Sequence, residues 1–168
     1  EVANNAAHYA DEGLFAAETV TAYEVGFKSA PNPRYSYSLA AFYLDYNNPQ
    51  ARIFVSFDLP GGGTITSNSL SNLDEAESYG FEAEFSLRPT DALTLNGSLT
   101  LNETEIQQTS NIGGNAALFD GNPLPFAPDT SLTLGGSYAF DVTDTISALA
   151  SVHGKYRSEY FLDAEGLA

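Results

Sequence analysis

Glu82 and Glu84 are the two carboxylates whose spacing comes nearest to working chemistry. They stand two residues apart in an alternating run, so both leave the same face of a strand about 7 Å from each other. A carboxylate pair at that separation suits acid–base cleavage of a glycoside. It equally suits the charged lining of a wall, paired with Arg88 or with a neighbouring strand. His8 and His153 are isolated from any second ligand at a useful spacing, which argues against a metal centre and for rim or wall positions. Gly61, Gly62 and Gly63 lack the following Lys-Ser/Thr and helix of a phosphate loop, so they read as a flexible loop tip. Ser and Thr are frequent, yet no nucleophile elbow or partner histidine accompanies them. Clustered acids in the loops have the oxygen chemistry of a Ca²⁺ site, and also that of a solvated, self-repelling surface. No catalytic constellation, metal site or cofactor is expected.

The element that positions the two carboxylates is the stretch from Tyr79 to Asn102. Tyr79, Phe81, Ala83, Phe85 and Leu87 alternate with Gly80, Glu82, Glu84, Ser86 and Arg88. After the turn Arg88-Pro89-Thr90-Asp91, Leu93, Leu95, Gly97, Leu99 and Leu101 alternate with Thr94, Asn96, Ser98, Thr100 and Asn102. The pair predicts an antiparallel hairpin with one apolar and one polar face. Each run has about the ten residues that a tilted strand needs to cross a bilayer.

The same pattern recurs along the chain. Strands are predicted over Thr19 to Lys28, with Tyr23, Val25 and Phe27 on one face, and over Tyr35 to Asp45, where both faces are apolar and the outward one stays open. Arg52 to Phe57 is expected to prolong that second strand beyond a bulge. Thr130 to Phe140 places Leu132, Leu134, Gly136, Tyr138 and Phe140 outward, Asp141 to Asp144 is a tight turn, and a last strand begins at Ile146. The first 18 residues read as a loop with a short helix near Asn5 to Ala10. Long loops are expected over residues 58–78 and 103–128, so connections alternate short and long. Barrels of the outer membrane sort their connections in this way, with short periplasmic turns and long extracellular loops.

Composition narrows the partners. A net charge of −16 over 168 residues, with six Lys and Arg in all, excludes a nucleic-acid surface. The absence of Cys removes disulfides and thiolate metal sites. No run of 18 apolar residues is present, so no membrane helix is expected. Of the ten Tyr and eleven Phe, Tyr23, Phe27, Tyr46, Tyr79, Tyr138, Phe140, Tyr156 and Tyr160 fall near strand ends, where aromatic girdles meet a membrane interface.

ETVTAYEVGFKS, YSLAAFYLDYNNPQ, ESYGFEAEFSLRPTDALTLNGSLTL and YRSEYF occur in one order over roughly residues 18 to 161. Together they resemble the distal barrel of TonB-dependent outer-membrane receptors. The resemblance implies an all-β antiparallel transmembrane barrel section, about six strands of a barrel of about 22, at the outer membrane of a Gram-negative bacterium. Residues 1–168 are then a partial barrel domain without the plug. The resemblance further implies uptake of a scarce nutrient such as an iron chelate, a cobalamin-like compound or a saccharide. Its partners are then the lipid bilayer, a plug domain and TonB. Ligand contacts are expected from loop residues Asn111, Asn115, Phe119, Asp120 and Asn122, and from lumen residues Glu82, Glu84, Arg88, His153 and Arg157. Two alternatives stand beside it: a complete eight-stranded barrel with a structural or adhesive role, using Arg52–Phe57 and a strand before Thr19, and a soluble acidic β-sandwich binding carbohydrate or calcium.

Overall fold

The computed structural model describes residues 16–59, 61–109 and 119–164. Its strands are β1 (Thr19–Lys28), β2 (Tyr35–Asn47), β3 (Gln50–Asp58), β4 (Thr64–Asn72), β5 (Glu75–Leu87), β6 (Leu93–Gln108), β7 (Thr130–Thr143) and β8 (Ile146–Arg157). Six of them form one sheet in the order β1-β2-β5-β6-β7-β8, every pair antiparallel, and β3 and β4 form a separate hairpin. The described sheet is open, with β1 and β8 at its edges.

Register makes the sheet two-faced, because residues directly opposite each other across a ladder share a face. Phe27, Leu39, Ala83, Leu99, Leu132 and Tyr156 form one continuous apolar row, and Tyr37, Phe85, Gly97 and Leu134 the next. The same register settles the open face of β2: Tyr37, Leu39, Ala41 and Tyr43 lie with Phe81 and Phe85. Among the described residues no second layer covers this face. Phe81 is 37% exposed, Leu134 48% and Val152 73%, which is incompatible with the core of a β-sandwich. Gly97 lies under its neighbours: a Cβ there would stand 2.5 Å from the Phe85 ring and 2.8 Å from a Leu134 methyl. The bare backbone lets those two side chains close over it and keeps the apolar row unbroken.

Three short connections lie on one rim: residues 29–34, 88–92 and 144–145. Adjacent turns there are tied together, since the Arg88 N–H donates to the Arg34 carbonyl at 2.7 Å and the Arg34 guanidinium meets Asp91 at 2.9 Å. The Thr90 hydroxyl, at 3.1 Å from the Leu93 N–H, caps the 88–92 turn. The last tight turn falls later than its sequence suggests, because β7 continues through an irregular register at Asp141/Thr143 to Thr143.

The opposite rim carries the two long connections, and both differ from expectation. Arg52 to Phe57 does not prolong β2: Asn48 takes φ 55°, Pro49 follows, and the chain leaves the sheet to pair with β4 in a hairpin nine residue pairs long. Residues 58–78 are therefore mostly strand, with Gly62 and Gly63 at φ 86° and 102° making the tip. Residues 103–108 are likewise strand, completing β6. Where β6 ends, Leu73, Ile106, Phe119, Ala51 and Ala164 pack into a small buried cluster with Leu124 against it. Ile106 pairs in register with Ala76, so the cluster lies on the polar side of the sheet. Backbone bonds fix it: the Ile106 N–H donates to the Asn122 carbonyl and the Gly121 N–H to the Ile106 carbonyl, both at 2.8 Å. Each large side chain buried there contributes about 1.5–3 kcal/mol, enough to hold the long-connection rim in one arrangement. The expected helix near Asn5 to Ala10, His8, and any strand before residue 16 lie outside the described residues.

Candidate ligand-facing wall

The polar face is built from register rows that step from one rim to the other. Beyond a row of Thr94, Ser137 and Ser151 on the short-turn side, Ser86, Asn96, Gly135 and His153 share a row. The next contains Lys28, Ser38, Glu84, Ser98, Thr133 and Lys155, and the one above it Gly26, Ala40, Glu82, Thr100, Ser131 and Arg157. Glu24, Phe42, Gly80 and Asn102 follow, with Asp129 beside Asn102 through an N–H to carbonyl bond of 2.8 Å. Charge is mixed along the wall: Lys28 and Lys155 share a row with Glu84 and Arg157 a row with Glu82, with Asp141 towards the short turns and Glu24 and Asp129 towards the long connections. Small Ser and Thr side chains occupy the middle rows of β6 and β7, which leaves the face recessed.

Glu82 and Glu84 lie on this wall as neighbours along β5, each facing a hydroxyl residue of β6, Thr100 and Ser98. The Ser38 hydroxyl also reaches a Glu84 carboxylate oxygen, at 3.5 Å. Arg88 stands beyond the end of β5 at the short-turn rim, and among the described residues it forms no salt bridge with either glutamate. His153 and Asn96 flank Gly135, where a Cβ would stand 2.6 Å from the imidazole Nδ1 and 2.9 Å from the Asn96 amide oxygen. Arg157 rests its guanidinium 5.8 Å from the centre of the Tyr160 ring.

The loop candidates separate. Phe119 is buried in the rim cluster, so its ring anchors the loop. Asn122 is likewise built in: its amide donates to the Ala164 carbonyl at 3.1 Å. Asp120 is exposed beside them. Asn111 and Asn115 lie outside the described residues. The structure adds residues that the sequence did not single out. Phe42 leans its ring over Gly80, and Phe126, at φ 60°, pairs with Tyr160 at 6.3 Å between ring centres. A cleft of about 350 Å³ opens beside them, lined by Asn102, Asp129, Glu159 and Tyr160 among others. Register alone assigns Asn102 to the polar face, whereas the left-handed turn at Phe126 leaves no mark in the sequence.

On the apolar face, polarity changes abruptly towards the long-connection rim. Tyr23, Tyr43 and Tyr79 share a row, and the next row is Asp45, Glu77 and Glu105. The Tyr43 hydroxyl donates to Glu77 at 2.8 Å, and the Gln107 amide donates to the other Glu77 oxygen at 2.8 Å. The phenols therefore point out of the apolar band and into a carboxylate row, as interfacial aromatics do.

The sequence model of the family described as TonB dependent receptor-like, beta-barrel matches residues 3–166. No curated protein matches the chain.

Proposed function

This chain belongs to the TonB-dependent receptor β-barrel family, and on that premise we propose that its six-stranded sheet is a section of the wall of an outer-membrane receptor that imports a scarce nutrient. The family is one of receptor and transporter barrels, not of enzymes. The observation that carries the reading is the uncovered apolar face spanning all six strands, bounded by tyrosines. From Tyr35 to Tyr43 on β2, eight steps at about 3.3 Å give about 26 Å along the strand. Tilted by about 40°, that is about 20 Å across the bilayer, close to the apolar band of such barrels. Closure with further strands satisfies the backbone groups left open on β1 and β8, as hydrocarbon requires.

In this reading the short turns are periplasmic, and the β3–β4 hairpin and residues 109–129 stand outside the cell. Residues 1–168 are then barrel without plug, and the polar wall borders the plug and the transit path. Ligand is captured at the outer rim and released inward when TonB acts on the plug. An iron chelate, a cobalamin-like compound and a saccharide are the nutrient classes for such a receptor. The test is uptake by cells that carry or lack the full receptor, with and without a protonophore. Receptor-dependent accumulation that collapses with the proton gradient supports the proposal. Uptake that survives the protonophore makes the barrel a passive pore and overturns it.

A further inference from the structure

Between the end of β6, the 119–129 connection and the segment after β8 lies the cleft of about 350 Å³, within the size range of small-molecule sites. One wall is aromatic. Tyr160 lines it, with Phe126 against Tyr160 and 67% exposed. The opposite wall is hydrogen-bonding: Asn102, Asp129 and Glu159 contribute an amide and two carboxylates, and one cation stands close by, the Arg157 guanidinium 5.8 Å from the centre of the Tyr160 ring. The floor is held by backbone bonds, Asn102 N–H to Asp129 carbonyl at 2.8 Å and Phe126 N–H to Phe161 carbonyl at 2.9 Å. The rings are thereby presented by a fixed frame.

This combination selects a chemistry. Carboxylates only accept hydrogen bonds, and the Asn amide both donates and accepts, so the polar wall calls for a ligand rich in O–H or N–H donors. The aromatic wall calls for a flat face of C–H groups or a ring. The two carboxylates outnumber the one guanidinium beside Tyr160, so the mouth stays net negative and disfavours carboxylate, catecholate and phosphate ligands. We propose that this cleft binds an uncharged, hydroxyl-rich ring, one sugar unit of a neutral saccharide, with its C–H face on Tyr160 and Phe126 and its hydroxyls on Asp129, Glu159 and Asn102. The proposal rests on the import reading and narrows it: the nutrient is a neutral saccharide and not an anionic iron chelate.

The test is calorimetric titration of the full receptor, refolded in detergent, with three probe sets of matched length. These are neutral glucose, xylose and N-acetylglucosamine oligomers, oligouronates, and ferric citrate. At least one neutral oligomer binds; the uronates and ferric citrate do not. Tyr160→Ala and Phe126→Gly, the latter relaxing a left-handed residue, each weaken that binding about tenfold, the worth of one lost ring contact. Tyr160→Phe leaves it within about twofold. Asp129→Asn together with Glu159→Gln admits the uronate of the preferred neutral oligomer. Binding of ferric citrate, indifference of a bound saccharide to both ring deletions, or binding by no neutral oligomer overturns the inference. Proton-gradient-dependent uptake of ferric citrate by the intact receptor would overturn it while leaving the import reading standing.

Discussion

The β5–β6 ribbon and the β3–β4 ribbon are both antiparallel hairpins, paired over thirteen and nine residue positions, yet they owe their structure to different causes. β5 and β6 each have a second strand beside them, and one face of the ribbon is apolar from Leu87 and Leu95 up to Leu101 and Tyr79. β3 and β4 pair only with each other, and their hairpin is closed by turn chemistry at Leu59, Gly62 and Gly63. There the Leu59 N–H donates to the Gly63 carbonyl at 2.8 Å and the Gly62 N–H to the Leu59 carbonyl at 3.0 Å. An isolated two-stranded ribbon is marginal in water. The first ribbon is fixed by what its faces must meet, and the second by its tip and by the cluster at its base.

The largest contrast comes from a cation placed on each ribbon. Leu99→Arg puts a charge in the row of Leu39, midway between Tyr35 and Tyr43 on the apolar face, and should cost about 2–4 kcal/mol in vesicles, read as a lower urea midpoint of the refolded receptor. Ile65→Arg on β4, where the side chain is already exposed, should change stability by less than about 0.5 kcal/mol. Equal costs would erase the distinction. Next in size, Ile106→Ala opens a cavity beneath the hairpin base and should cost about 2 kcal/mol. Its loss should speed proteolysis within residues 50–72 far more than within β5. Uniform protection after that substitution would mean the hairpin stands on its own.

Gly97→Val drives a branched side chain into the Phe85 ring and the Leu134 methyl, at an expected cost of about 1–3 kcal/mol. Gly61→Val meets open space and should be silent in the same unfolding assay. Smallest of all, Tyr43→Phe removes the bond to Glu77 and should cost about 1 kcal/mol. If the substituted receptor is as stable as the parent, the tyrosine row is not anchored by the acidic row above it.

The same contrast explains what could be read from the residues alone. Strict alternation in Tyr79–Asn102 fixed two strands, their turn and their faces, because a bilayer-facing strand must keep one side apolar throughout. β2 resisted, since Phe42, Leu44 and Tyr46 are apolar on the wall side, the side that also carries Ala76 and Ile106; only its register with β5 separates the faces. β4 escaped because Thr64–Asn72 is mostly Ser, Thr and Asn, with no alternating apolar set to mark a strand. Among candidate contacts, Glu82, Glu84, His153 and Arg157 follow from alternation and lie on the wall. Phe119 and Asn122 share their loop-like composition with exposed residues, and their burial depends on Ile106 and Ala164, partners distant in sequence. Phe126 and Tyr160 meet across 34 positions by a turn that no local pattern announces.

The central claim is that the apolar face of the six-stranded sheet meets acyl chains. Nitroxide labels on single cysteines at positions 25, 81, 134 and 152, and at 84, 98 and 133, in the full receptor in lipid vesicles, test it by collision with oxygen and with a water-soluble nickel chelate. The first group should favour oxygen and the second the chelate, in strict alternation along β5 and β7. Labels at 81 and 134 shielded from both reagents, or no alternation between 81 and 84, would contradict the account.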